Sequence, residues 1–213
     1  MLKKPTPVEI LDTIAEMFPQ AKCELEHTNN YEMTVAVILS AQTTDASVNK
    51  VTPALFAKYP TVYALAESNL KDVEDCIHTL GLYRNKARSI QMMAKTVVEK
   101  YHGEIPSTMK ELCTLEGVGR KCANVILSEC FGVPSIAVDT HVNRVSKRLT
   151  LAKPDDSLLQ VETKLKRKLP KERWTKAHHQ MIFFGRYYCT SRNPKCEQCP
   201  FKDFCAYIKH KTK

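Results

Sequence analysis

Four cysteines fall within the seventeen residues from Cys189 to Cys205, in the pattern C-x6-C-x2-C-x5-C. Four thiolates that close in sequence can converge on one centre, and a loop this poor in apolar residues gains its order from what it binds. The chain's start, Met1-Leu2-Lys3-Lys4-Pro5, runs straight into a helix signal without the apolar stretch of a secretory leader. The nine cysteines are therefore expected in a reducing cytoplasm, where clustered thiols read as a metal site rather than as disulfides. Both a tetrahedral zinc and a [4Fe–4S] cluster accept Cys189, Cys196, Cys199 and Cys205. Zinc ribbons usually pair two C-x2-C knuckles and only one is present, which favours iron–sulfur while leaving zinc open. Cys23, Cys76, Cys113, Cys122 and Cys130 are scattered along helical segments and read as small buried hydrophobes.

Ahead of that loop, helical spacing recurs and period-two alternation does not, so the chain reads as all-α. Thr6-Pro7-Val8-Glu9 is a capping box with proline at the first helical position, leading into Val8, Leu11, Ile14 and Phe18. Leu70, Val73, Ile77 and Leu80 form a second stripe, stopped at Gly81. Ala87, Ile90, Ala94, Val97 and Tyr101 form a third, stopped at Gly103, and Leu159, Val161, Leu165 and Leu169 a basic one before Pro170. A composition shift near Gly132–Ser135 marks a candidate boundary. The longest apolar run, Val35 to Ala41, is far shorter than the roughly 20 residues a bilayer requires, so no membrane association is expected.

Two segments carry chemistry. In Leu115-Glu116-Gly117-Val118-Gly119-Arg120-Lys121, two glycines span a short turn between helices, and two cations follow. Glycine permits φ > 0 and close backbone approach, and amides at the next helix start can hold a phosphate oxygen without reading the sequence. A turn that merely joins packed helices is the competing reading. Downstream, Asp139 lies between the apolar Ile136-Ala137-Val138 and a helical pattern in Val142, Val145 and Leu149. It reads as an N-cap, which is compatible with a catalytic role because a capped carboxylate is held in place. The net charge of +9 fits a polyanionic partner as well as it fits solubility.

The order and spacing of Leu115–Lys121, of Val138-Asp139-Thr140-His141 and of the four-cysteine loop resemble the endonuclease III family of helix-hairpin-helix DNA glycosylases. Ile38-Leu39-Ser40-Ala41-Gln42-Thr43-Thr44-Asp45 resembles the same family, so the likeness spans nearly the whole chain. Glu116 is a departure, because the family commonly has proline there. The resemblance implies an all-α, two-domain helix-hairpin-helix glycosylase fold with a DNA-binding cleft between the domains. One would be a six-helix barrel over residues 23–133, with the hairpin at about 108–127. The other would join residues 1–22 to 134–213 and hold a [4Fe–4S] cluster on loop 189–205. It also implies base excision repair: a bifunctional glycosylase and abasic-site lyase acting, as a monomer in the bacterial cytoplasm at the nucleoid, on oxidised or ring-saturated pyrimidines and abasic sites in double-stranded DNA.

The matching catalytic positions are Lys121 and Asp139. An amine nucleophile would displace an extruded base and cut the strand through a Schiff base, while Asp139 accepts a proton and offsets charge on the sugar. An amine of ordinary lysine pKa, about 10.4, is neutral roughly once in a thousand at pH 7, so this chemistry needs burial, nearby cations or a base. Gln42 and Leu82 match the positions that fill the gap left by the base. Gly117, Gly119 and Arg120 are expected at the phosphates, and His141 and Arg144 are candidate DNA contacts. A monofunctional relative such as an adenine glycosylase would lack Lys121 and carry a further C-terminal domain. A non-catalytic zinc-bearing DNA binder would leave the Lys121–Asp139 pairing unexplained.

Overall fold

The computed structural model describes residues 4–211, so the Met1–Lys3 start read above lies outside it. Every regular element among these residues is helical, as expected. In chain order they begin α1 (Pro7–Met17), α2 (Asn30–Leu39), α3 (Asp45–Lys58), α4 (Val62–Ala66), α5 (Leu70–Ile77) and α6 (Tyr83–Tyr101). There follow α7 (Met109–Leu112), α8 (Arg120–Phe131), α9 (Thr140–Arg148), α10 (Leu158–Lys168), α11 (Trp174–Phe183) and α12 (Ala206–Lys211). A 3-10 turn covers Lys171–Arg173 and a π turn Phe184–Tyr188. By packing, the chain divides into one unit of Glu24–Val133 and another of Met1–Cys23 with Pro134–Lys213.

The Glu24–Val133 unit is built around α2, which packs against α3, α6 and α8. From Tyr31 to Leu39 every residue except the half-buried Glu32 is buried, so α2 has no polar face along most of its length. That explains the unbroken apolar run in the sequence: a helix enclosed on all sides shows no amphipathic stripe. The Asn29 side chain caps it by accepting from the Glu32 amide at 2.9 Å. No helix among the described residues is long and apolar enough to cross a membrane.

In the other unit α1 packs against α11. Its capping box forms as read: the Glu9 amide donates to Thr6 Oγ1 at 3.2 Å and the Thr6 amide to Glu9 Oε2 at 2.6 Å. Ile10, Leu11 and Ile14 join Val142, Val145, Val161, Leu165, Met181 and Phe184 in one core. The segment Ile136-Ala137-Val138 is buried and belongs to no helix or strand. Three expectations shift. Of the scattered cysteines read as buried, Cys113 is exposed and Cys23, Cys76, Cys122 and Cys130 are only half-buried. Leu159 is exposed, because the buried face of α10 is Val161, Glu162 and Leu165. Gly81 does not cap α5, which ends at Ile77; the left-handed residue there is Leu82.

Candidate active site

The hairpin joins α7 to α8. Its two glycines differ physically. Gly117 has φ +79°, and a Cβ there would lie 2.9 Å from Ile38 Cγ2 and 3.2 Å from Ser89 Cβ. Gly117 is therefore required by conformation and space, and it seats the turn against the end of α2 and the first half of α6. Gly119 has an ordinary φ of −88°, and nothing lies within 4 Å of an added Cβ. Nothing inside the protein calls for glycine at 119. Without a capping side chain, it leaves the first-turn amides of α8 to other partners. Arg120 and Lys121 are both exposed in that first turn, so their charges sit beside those amides.

Gln42 and Leu82 share an unusual trait. Both are exposed, and both hold left-handed backbone, with φ of +53° and +59°. Non-glycine residues in this region cost of order 1 kcal/mol or more, and such strain concentrates where a side chain must be presented in one pose. Leu82 is 58% exposed and is the N-cap of α6, with no side chain capping that helix. The fold leaves most of this apolar side chain in solvent.

In the other unit Asp139 caps α9, with Oδ1 accepting from the Val142 amide at 2.7 Å. The N-cap reading thus holds, and Oδ2 takes no hydrogen bond among the described residues. Arg144 is committed inside the protein, unlike the DNA contact expected of it. Its Nε donates to the Cys189 carbonyl at 3.0 Å and its Nη2 to the Gly185 carbonyl at 2.7 Å. Nη2 also lies 3.1 Å from His141 Nδ1. Arginine can only donate, so Nδ1 accepts, and the neutral ring carries its proton on Nε2. Gly185 allows this packing, since a Cβ there would meet His141 Cβ at 2.8 Å.

Cys189, Cys196, Cys199 and Cys205 line one cavity with Arg148, Tyr188 and Tyr207. Burial pushes the thiol of Cys199 up to about 11, and each of the other three cysteines adds to the rise. Thiols that oppose one another's ionisation need a cationic centre to be held together as thiolates, so the donor set fits a metal. Among the described residues no three His, Cys, Asp or Glu side chains are gathered as the ligands of a single ion are. Four cysteines around one cavity are a donor set that a [4Fe–4S] cluster accepts.

The sequence reading missed the clasp on this loop. Arg148 Nη1 donates to the Thr190 carbonyl at 2.7 Å and to Cys189 Sγ at 3.3 Å, and Nη2 to the Ser191 carbonyl at 3.1 Å. Its guanidinium lies 3.9 Å from the centre of the Tyr207 ring. The only signal was its place four residues after Arg144, one turn along the same helix. The π turn before Cys189 was likewise unread: the Cys189 amide reaches back five residues to the Phe184 carbonyl at 2.6 Å.

Comparison with known proteins identifies the family. The family of HhH-GPD superfamily base excision DNA repair proteins matches residues 35–171, and the iron–sulfur binding domain of endonuclease III matches residues 189–205. Endonuclease III of Bacillus subtilis (strain 168) is 53% identical over 195 residues, 92% of this chain and 89% of its own. That of Escherichia coli (strain K12) is 41% identical over 206 residues, 97% of each. A solved structure of a trapped endonuclease III–DNA covalent intermediate, an estranged-adenine complex, aligns with a TM-score of 0.95 at 51% identity and covers 100% of both chains. The chain belongs to the HhH-GPD superfamily of base excision DNA repair proteins, and within it to the endonuclease III family.

Proposed function

We propose that the chain removes damaged bases from double-stranded DNA and cuts the strand at the abasic site, with Lys121 as the nucleophile and Asp139 as the proton acceptor. The observation that carries this reading is an exposed amine in the first turn of α8, directly after a hairpin whose second glycine is open to an approaching backbone. Oxidised or ring-saturated pyrimidines suit as substrates, because a lesion that stacks poorly costs less to extrude. Abasic sites are the second substrate. The acting species is a monomer, at the bacterial nucleoid.

A deprotonated Lys121 Nζ bonds to C1′ of the extruded nucleotide as the base leaves with the C1′–N electron pair and a proton. Ring opening protonates O4′ and leaves an iminium between Nζ and C1′. Loss of a C2′ proton then expels the 3′ phosphate, and water releases the lysine. Asp139 takes the proton that frees the amine, and its charge offsets positive charge on the sugar. Gln42 and Leu82 fill the gap, one polar against the orphaned partner and one apolar in the stack. Gly117, Gly119 and Arg120 hold the phosphates, and His141 presents its Nε2 proton to the DNA. The cofactor is a [4Fe–4S] cluster, which Cys189, Cys196, Cys199 and Cys205 would hold; when bound it orders the loop that carries them.

Borohydride reduces the iminium to a stable amine. Wild-type protein is therefore expected to become covalently attached to abasic DNA, and Lys121→Gln to fail; equal attachment would remove Lys121 from the mechanism. Asp139→Asn keeps an oxygen for the Val142 amide and removes only the charge. It should slow base release by about 100-fold or more with DNA affinity kept. Full activity in that variant would end the proposed role of the carboxylate.

A further inference from the structure

Lys86 is 5% exposed, on the first turn of α6. Its Nζ donates to Thr43 Oγ1, and its amide donates to the Leu82 carbonyl at 3.0 Å. Thr43 follows Gln42 directly; its amide donates to the Ser40 carbonyl at 3.1 Å and its hydroxyl to the Ala41 carbonyl at 3.3 Å. One side chain therefore spans from the turn that holds Gln42 at φ +53° to the turn that holds Leu82 at φ +59°. No carboxylate among the described residues pairs with this amine, and burial pushes its pKa down. As mere core, a lysine is a poor choice: an amine buried against one neutral hydroxyl costs stability that a methionine of similar length would not. Its presence calls for another reason.

We infer that Lys86 is a positioning residue that locks the Gln42 turn to the Leu82 turn, so that both gap-filling side chains stand in their strained poses before DNA arrives. The inference rests on the gap-filling reading above. Strain absorbed in the folded protein is not charged to the step in which the base is extruded. The bond is local to these two turns and touches neither Lys121 nor the cysteine loop.

The test uses Lys86→Met and, since a lysine variant alters the core, Thr43→Val, which removes the same bond from a half-buried position. Three quantities are measured: single-turnover release of 5,6-dihydrothymine from a duplex, cleavage of a single-stranded abasic oligonucleotide, and Tm. The single strand has no partner base and no stack to fill. Each variant should lower the ratio of duplex release to single-strand cleavage about tenfold, in line with loss of one charge-assisted hydrogen bond. The double variant should lower it no further, and Lys86→Met should melt at or above the wild-type temperature. Additive losses, an unchanged ratio, or a lowered Tm with both activities falling together would overturn the inference. Gln42→Ala and Leu82→Ala separate the two levels. If they release the base at the wild-type rate, the gap-filling reading itself falls. If they slow release while the Lys86 and Thr43 variants do not, only the positioning role falls.

Discussion

Single residues in this protein divide into those the fold needs and those it does not, and the hairpin glycines fall on opposite sides. Gly117→Ala forces a Cβ into Ile38 and into left-handed backbone, so it should cost about 1–3 kcal/mol in chemical denaturation. Gly119→Ser meets nothing and gains a capping oxygen at a helix N-terminus, so stability should hold or rise by a few tenths of a kcal/mol. The same serine stands where a phosphate would approach, and affinity for duplex DNA, read by fluorescence anisotropy, should fall about tenfold. A Gly119→Ser protein that binds as wild type would make the glycine incidental. In the sequence these two glycines look alike, since both φ and the position of Ile38 are set by how α2 and α6 meet. For the same reason the strain at Gln42 and Leu82 could not be read: neither residue type announces positive φ, and the glycine beside Leu82 pointed to the wrong position.

Among the elements, those closed by local chemistry were legible. The Thr6 capping box and the apolar spacing of α5 and α6 depend on neighbours three and four residues away, and the structure keeps them. What stayed hidden was made by contacts of long range. The cluster loop is the clearest instance: its four cysteines could be read, but the arm that holds it comes from α9, more than forty residues earlier. Arg148 gathers the carbonyls of Thr190 and Ser191 and the sulfur of Cys189, and rests on Tyr207. A lysine carries the same charge but lacks the planar fork, so it cannot satisfy these acceptors together. Arg148→Lys should therefore yield protein that loses iron and sulfide faster in air than wild type, several-fold by colorimetric assay, and whose 189–205 segment is cut sooner by trypsin. Anaerobically purified wild type should contain both iron and sulfide. Stoichiometric zinc without iron would refute the cluster, and an Arg148→Lys protein that keeps its iron would refute the clasp.

For the molecule as a whole, the charge of +9 left solubility and DNA binding equally open, and the structure narrows the choice by showing where cations are already engaged. Lys164 pairs with Asp156 at 2.5 Å, Lys166 with Glu162 at 2.8 Å and Arg173 with Asp12 at 2.8 Å. Lys168 donates to the Leu151 carbonyl at 2.6 Å. The densest basic stretch in the sequence is thus largely occupied in holding α10 and its neighbours, and it is not the main source of charge for phosphates. If about four phosphates are neutralised, affinity for undamaged duplex should fall roughly 100-fold between 50 and 200 mM salt, because each contact releases a condensed counterion. The rate of base release with enzyme in large excess should barely change over the same range, since the chemistry follows binding. Replacing Lys164 or Lys166 by glutamine should leave the slope of log affinity against log salt intact, whereas Arg120→Gln should reduce it by about one. A slope near zero in the wild-type protein would return the positive charge to its other reading, as a device for staying in solution.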